Sequence, residues 1–244
     1  MKRPLIILTG PTAVGKTSLS LSLAKELDGE IVSADSMQVY RYMDIGTAKI
    51  REEERQGIPH HLIDVLDPWE DFNVVRFQKM AREALEEIWE RGHIPIVTGG
   101  TGFYIQALLY DIHFTENNGD SSLRKDLENY ARENGAEALH SRLAEVDEKA
   151  ASQIHFNNVK RVIRALEFYY QTGKKISEHN EEERKRTSPY DFKYFVLNDE
   201  REHLYARINQ RVDLMMEEGL VEEVQKLKEM GCDSTMVSMQ GVGI

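Results

Sequence analysis

"LIILTGPTAVGKT", residues 5–17, decides how the chain is read. Four apolar residues run into a loop that satisfies G-x-x-x-x-G-K-[ST] at every specified position, from Gly10 to Thr17. A short apolar run closed by a glycine turn reads as a central parallel strand, and this loop requires a helix behind it. Backbone N–H groups across Gly10, Pro11, Thr12, Ala13, Val14, Gly15, Lys16 and Thr17 form an anion nest, with proline contributing none of its own. The helix N-terminus adds positive potential to that nest. Lys16 neutralises phosphate oxygens and the Thr17 hydroxyl can ligate Mg²⁺. The loop therefore specifies a phosphate, most often that of ATP, but not the molecule carrying it.

The following "TSLSLSLAKEL" (17–27) alternates Ser and Leu with period two, as a half-buried strand does. Leu19, Leu23 and Leu27 also stand at i, i+4 and i+8, and Gly29 suits a C-terminal cap. A helix is expected, with those leucines on its inner face. "EIVSAD" (30–35) reads as the second strand and leaves Asp35 at its C-terminal end. "NVVRFQKMAREALEEIWERG" (73–92) predicts an amphipathic helix with Phe77, Met80, Ala81, Ala84, Leu85 and Ile88 inward. "IPIVTGGTGFY" (94–104) repeats the strand-to-glycine pattern, and "FYIQALLY" (103–110) continues as a helix. Alternating strands and helices predict a doubly wound α/β fold.

The texture changes after Tyr110: no proline occurs between Pro95 and Pro189, and short helical patterns follow one another. The expected organisation is a phosphate-loop core over 1–111, a helical insertion over 112–190 and the rest of the core over 191–244. "FKYFVLND" (192–199) supplies a further clear strand, and two helices close the chain. The final "SMQGVGI" lacks a cap or polar tail, which suggests a longer natural chain.

Net charge is −11 over 244 residues, so the whole molecule is not a general polyanion binder. From Lys160 to Arg211, however, basic residues outnumber acidic ones, which permits a nucleic-acid partner there. No apolar run approaches the ~20 residues of a membrane span. The single cysteine, Cys232, excludes an internal disulfide framework and suits the cytoplasm. Monomer is the default expectation.

Several motifs carry chemistry. Asp35 falls where ligands of open α/β sheets collect, and a carboxylate there can act as a general base or hold a metal through water. A turn aspartate is the plain alternative. Ser36 and Gln38 can both donate and accept hydrogen bonds, as recognition of a base edge requires. "GGTG" (99–102) lets the backbone approach a ligand and adds the Thr101 hydroxyl. "HHLID" (60–64) lacks further ligands at zinc-like spacing. Arg161 with Arg164, and Arg207 with Arg211, could each grip phosphates or simply be solvated. Leu204, Ile208, Val212 and Met215 make an apolar stripe beside the second pair. Only "FVLND", with Asp199, resembles a Walker-B strand, and no guanine-recognition element is present.

Taken in order, "GPTAVGKT", "SADSMQVYR", "MDIGTAK", "PHHLID", "PIVTGGTGFY", "NNVKRVIRALE" and "LYARINQRV" closely resemble the tRNA dimethylallyltransferase (tRNA isopentenyltransferase) family, bacterial type. "QGVGI" resembles the start of that family's "QGIGY". The resemblance implies a P-loop-kinase-like parallel sheet with flanking helices and a helical insertion. It implies transfer of an isoprenoid from dimethylallyl pyrophosphate to N6 of the adenosine 3′ to the anticodon. On the same basis Asp35, Thr17 and Arg207 are the catalytic residues, and residues 10–17 hold the pyrophosphate with Mg²⁺ on Thr17. Asp35, Ser36, Met37, Gln38, Thr101, Val159, Lys160, Arg161, Val162 and Ile163 match tRNA-contacting positions in the anticodon stem-loop complex. A small-molecule or nucleoside kinase would share the loop but transfer the ATP γ-phosphate. An adenylate isopentenyltransferase would keep the chemistry on a free nucleotide. A non-catalytic nucleotide-binding module would not need Asp35.

Overall fold

The computed structural model describes residues 2–114 and 121–240. Of the "QGVGI" stretch, only Gln240 is among them. Five strands form one parallel sheet in the order β3-β2-β4-β1-β5. They are β1 (Pro4–Thr9), β2 (Gly29–Ser33), β3 (His60–His61), β4 (Ile94–Gly99) and β5 (Asp191–Val196). Central β1 pairs with β4 from Ile6↔Ile96 to Thr9↔Gly99, and with β5 from Pro4↔Asp191 to Thr9↔Val196. β2 pairs with β4 from Gly29↔Ile94 to Ser33↔Thr98. Parallel strands need crossovers, and helices supply them by covering both faces.

Alternation along each strand separates two cores. Leu5, Ile7, Val32 and Val97 pack with Phe77, Ala81, Leu85 and Ile88 of α2 (Val74–Glu90). Ile31 and Ile96 pack on the other face with Leu21 and Ala24 of α1 (Lys16–Leu27). α2 follows its predicted face, and its N-cap Asn73 accepts from the Arg76 N–H. α1 is the expected helix on a different face. Ser20, Leu21 and Ala24 are buried, whereas Leu19 and Leu27 are 37% and 39% exposed. The sheet accepts small side chains close under the phosphate loop, and so turns the leucine stripe partly outward.

α3 (Gly102–Leu109) follows β4. The chain divides into two compact units, one of Met1–Asp111 with Ser188–Ile244 and one of Ile112–Thr187. The second unit comprises α4 (Ser121–Asn134), α5 (Ala136–Val146), α6 (Glu148–Gln153), α7 (Val159–Thr172) and α8 (Ile176–Arg184). It has its own core of Leu127, Leu139, Leu143, Val162, Ile163 and Leu166. α8 takes up the charged stretch that sequence alone reads as a solvated face. Back in the first unit, α9 (Arg201–Glu217) has no buried residue, and its stripe of Leu204, Ile208 and Met215 is only half-covered. α10 (Leu220–Glu229) anchors through buried Leu227.

Candidate active site

Because all five strands run the same way, the segments after β1, β2, β4 and β5 emerge at one edge of the sheet. That edge receives the phosphate loop, "SADSMQ", "GGTG" and "LND". Gly10 sits at φ 150°, and a Cβ there would stand 2.5 Å from the Leu197 carbonyl oxygen. Only glycine lets the loop leave β1 against the end of β5. Gly99 is constrained similarly, since its Cβ would meet the Ala34 carbonyl oxygen at 2.4 Å. The "SAD" and "GG" turns therefore touch backbone to backbone, which holds Asp35 close to the end of β4.

Lys16 Nζ donates to the Gly10 and Pro11 carbonyls at 2.8 and 2.7 Å, folding the side chain back over its own loop. Burial pushes its ammonium below the usual lysine range, the Asp35 carboxylate opposes that shift, and Arg211 adds to it. Lys16, Asp35 and Arg211 thus share one electrostatic field. Arg207 Nη1 donates to the Ala13 carbonyl at 3.2 Å, while its other nitrogen pairs with Asp199. Asp199 also receives the Glu200 N–H at 2.8 Å. It is therefore the holder of Arg207 at the loop, which accounts for it without a Walker-B role.

Asp35 Oδ1 accepts from the N–H groups of Met37 (2.8 Å) and Gln38 (3.3 Å), closing a turn. Among the described residues Oδ2 has no hydrogen-bond partner. The turn fixes one carboxylate oxygen, as the plain turn reading expects, and leaves the other outside it. Gln38 is held at both ends. Its Oε1 accepts from the Ser33 hydroxyl at 3.2 Å, and its Nε2 donates to the Thr47 carbonyl at 3.2 Å. Ser36 and Met37 are half-buried, with Met37 leaning on the core. A cleft beside them is lined by Thr17, Ser33, Gln38, His60, Ile63 and Thr98. Thr101 caps α3 without a side-chain cap bond, which leaves its hydroxyl available.

The donors at this edge are hard oxygens, and among the described residues no group of three His, Cys, Asp or Glu could hold a metal. That set suits Mg²⁺, which takes one or two protein oxygens and completes its shell with phosphate and water. The "HHLID" histidines are otherwise engaged. His61 Nε2 lies 2.7 Å from Glu30 Oε2, and His60 Nδ1 lies 2.8 Å from the Ile58 carbonyl.

Comparison with known proteins gives the family of the chain. A family described as IPP transferase matches residues 38–244, and one described as Isopentenyl transferase matches residues 3–65. The tRNA dimethylallyltransferase of Lachnoclostridium phytofermentans is 58% identical over 99% of this chain and 77% of its own. The chain belongs to the tRNA dimethylallyltransferase family. Its family relative from Acetivibrio thermocellus is 54% identical over 98% of this chain and 76% of its own. The crystal structure of the full-length tRNA isopentenylpyrophosphate transferase of Bacillus halodurans matches with TM-score 0.69 and 46% identity. It covers 100% of this chain and 75% of that one. A eukaryotic dimethylallyltransferase acting on tRNA matches with TM-score 0.82 and 36% identity, over 93% of this chain and 56% of that one.

Within the tRNA dimethylallyltransferase motif "NNVKRVIRALE" the side chains divide between two faces. Val162 and Ile163 are 0% and 4% exposed in the insertion core, because they occupy the inner face of α7. Lys160 and Arg161 are exposed, and Val159 is half-buried beside the α7 N-cap Asn158. Sequence reasoning also overlooked Lys49 and Glu223, which tie the "MDIGTAK" loop to the rest of the core. A lysine between Ala48 and Ile50 was the one local sign that Lys49 turns inward.

Proposed function

We propose that this protein transfers the dimethylallyl group from dimethylallyl pyrophosphate to N6 of the adenosine 3′-adjacent to the tRNA anticodon. The observation that carries this reading is that the loop bearing Lys16 and the turn bearing Asp35 leave parallel strands at one sheet edge. A phosphate-binding cation and a carboxylate with one uncommitted oxygen are what the displacement requires. The exocyclic amine of adenine is a poor nucleophile, because its lone pair is delocalised into the ring. The allylic C–O bond must therefore be well advanced in breaking when nitrogen bonds to C1.

The electron pair of that bond leaves with pyrophosphate. Loop N–H groups, Lys16 and Arg207 stabilise the growing charge. The N6 proton passes to Asp35 Oδ2 as the new C–N bond forms. Asp35 Oδ1 stays on the Met37 and Gln38 amides throughout, which keeps the base oriented. When bound, Mg²⁺ would take the Thr17 hydroxyl and pyrophosphate oxygens and supply charge neutralisation. The target base must leave the stack of the anticodon loop to reach this edge. Thr101, Ser36 and the Gln38 segment then meet the RNA, together with Lys160 and Arg161 of the insertion. The enzyme works as a monomer, in the cytoplasm where tRNA matures, and no described helix is long and apolar enough to cross a membrane.

The test is incubation with dimethylallyl pyrophosphate labelled in the isoprenoid, plus either unmodified tRNA or AMP. Label in tRNA is expected. Label in AMP alone would make the protein an adenylate isopentenyltransferase, and no label with concurrent ATP consumption would make it a kinase.

A further inference from the structure

Glu223 lies on α10, far along the chain from the phosphate loop. Its carboxylate nevertheless accepts from three consecutive backbone N–H groups, of Asp44 (2.7 Å), Ile45 (2.8 Å) and Gly46 (2.9 Å). Consecutive inward N–H groups of this kind form a nest for an anion, and here the anion is a side chain. The same loop surrounds Lys49, whose side chain is 3% exposed. Lys49 Nζ donates to the Tyr40 carbonyl (2.7 Å), Asp44 Oδ1 (2.5 Å) and Asp64 Oδ1 (2.6 Å). All three ammonium donors are used, joining the segment after "SADSMQ", the "MDIG" turn and "HHLID".

The backbone around this hub is unusual. Tyr42, Ala48, Leu62 and Asp64 stand at φ 67°, 48°, 62° and 57°. Non-glycine residues at such angles cost of order 1–3 kcal/mol each and persist only where their surroundings over-determine them. Such clusters concentrate at sites that need a fixed geometry. What the loop fixes here is Gln38, whose Nε2 donates to the Thr47 and Ala48 carbonyls at the far end of the same turn. Asp64 N–H returns to the Gln38 carbonyl at 3.2 Å, closing the circuit.

We infer that Glu223 is a positioning residue for base recognition: by gripping the 44–46 amides, it sets the turn whose Thr47 and Ala48 carbonyls hold the side-chain amide of Gln38, the residue whose backbone N–H is on Asp35. This inference rests on the transferase reading. α10 thus contributes to the choice of acceptor base without touching it.

The experiment compares wild type, Glu223→Ala, Glu223→Gln, Gln38→Ala and the double variant Glu223→Ala/Gln38→Ala. Kinetics are read with dimethylallyl pyrophosphate and an unmodified anticodon stem-loop. Glu223→Ala should lower kcat/KM for the RNA by about tenfold, as loss of a charge-assisted hydrogen-bond set implies. Affinity for dimethylallyl pyrophosphate should hold within about twofold, and Glu223→Gln, which keeps one acceptor in place, should retain most activity. The double variant should fall no further than Gln38→Ala alone, the mark of coupled residues. Losses that multiply, or an equal loss of pyrophosphate affinity, would reduce Glu223 to a docking contact. If wild type modifies no RNA, the transferase reading itself fails. Amide exchange then still decides the structural inference: protection at Ile45, Gly46 and Gln38 must fall together in Glu223→Ala, and unchanged protection overturns it.

Discussion

At the scale of single residues, Oδ1 of Asp35 closes a local turn that any structural aspartate could close. On the proposed mechanism Oδ2 takes the N6 proton. Asp35→Ala should therefore lower kcat by about 10²–10⁴ while leaving pyrophosphate affinity nearly unchanged, measured by single-turnover transfer and by calorimetry. A variant that lost binding but kept turnover of bound substrate would remove the general-base role. Lys16 makes a different prediction. Burial lowers its pKa from 10.5, so its charge is lost as pH rises through a value below that of an ordinary lysine. Pyrophosphate affinity measured by titration should weaken on the alkaline side earlier than an ordinary lysine allows. Lys16→Arg should remove that alkaline limb even if it binds less tightly overall.

At the scale of elements, Glu30 joins β2 to its neighbours. The side chain is 2% exposed, Arg91 grips it with two nitrogens at 2.9 and 2.8 Å, and His61 of β3 lies 2.7 Å away. The Arg91 hydrogen bonds above all hold its carboxyl below the usual 4.5. A depressed folded-state pKa means that the unfolded chain binds more protons between the two values. The contribution is then present above 4.5 and disappears as pH falls through the lower, folded value. Glu30→Gln should lower Tm by about 2–4 °C at neutral pH and flatten the acid limb of Tm against pH, both read by calorimetry. Elements differed in how far sequence revealed them. α2 was legible in its inner face, because a long helix with one apolar face has no competing solution, although Met80 is only half-buried and the buried Gln78 was missed. α1 was legible as a helix but not in its face, since the choice between small and large side chains belongs to the sheet beneath it. β3, two residues long, exists through its pairing with β2 and has no pattern of its own. Gly10, Lys16, Thr17 and Asp35 could be placed from local motifs, whereas Lys49 and Glu223 act through contacts between distant segments that no local spacing encodes. The family motif over 159–163 marks a segment and not which side of it faces inward, so the burial of the Val162 and Ile163 side chains was not legible from it.

At the scale of the whole molecule, the insertion carries a self-contained core. Leu143 and Leu139 are fully buried there, with Leu166 and Val162 beside them. Leu143→Ala should cost about 3 kcal/mol of that unit's stability. Transfer to tRNA should fall as the insertion loosens, while pyrophosphate affinity, which belongs to the other unit, should stay within about twofold. Unfolding followed by calorimetry alongside a binding titration separates the two effects. Equal loss of both would mean that the units do not divide the work in this way.

The pairing of β1 with β5 also has a consequence during synthesis. Thr9 waits for Val196, and the Gly10 turn is seated against Leu197. At about 5–20 residues per second, roughly 10–40 s separate the emergence of the phosphate loop from that of the strand that completes its seat. The whole insertion leaves the ribosome in that interval and can condense first, as domains generally do. A nascent chain thus carries its phosphate loop well before the strand against which Gly10 is seated. The final seating of that loop waits on β5.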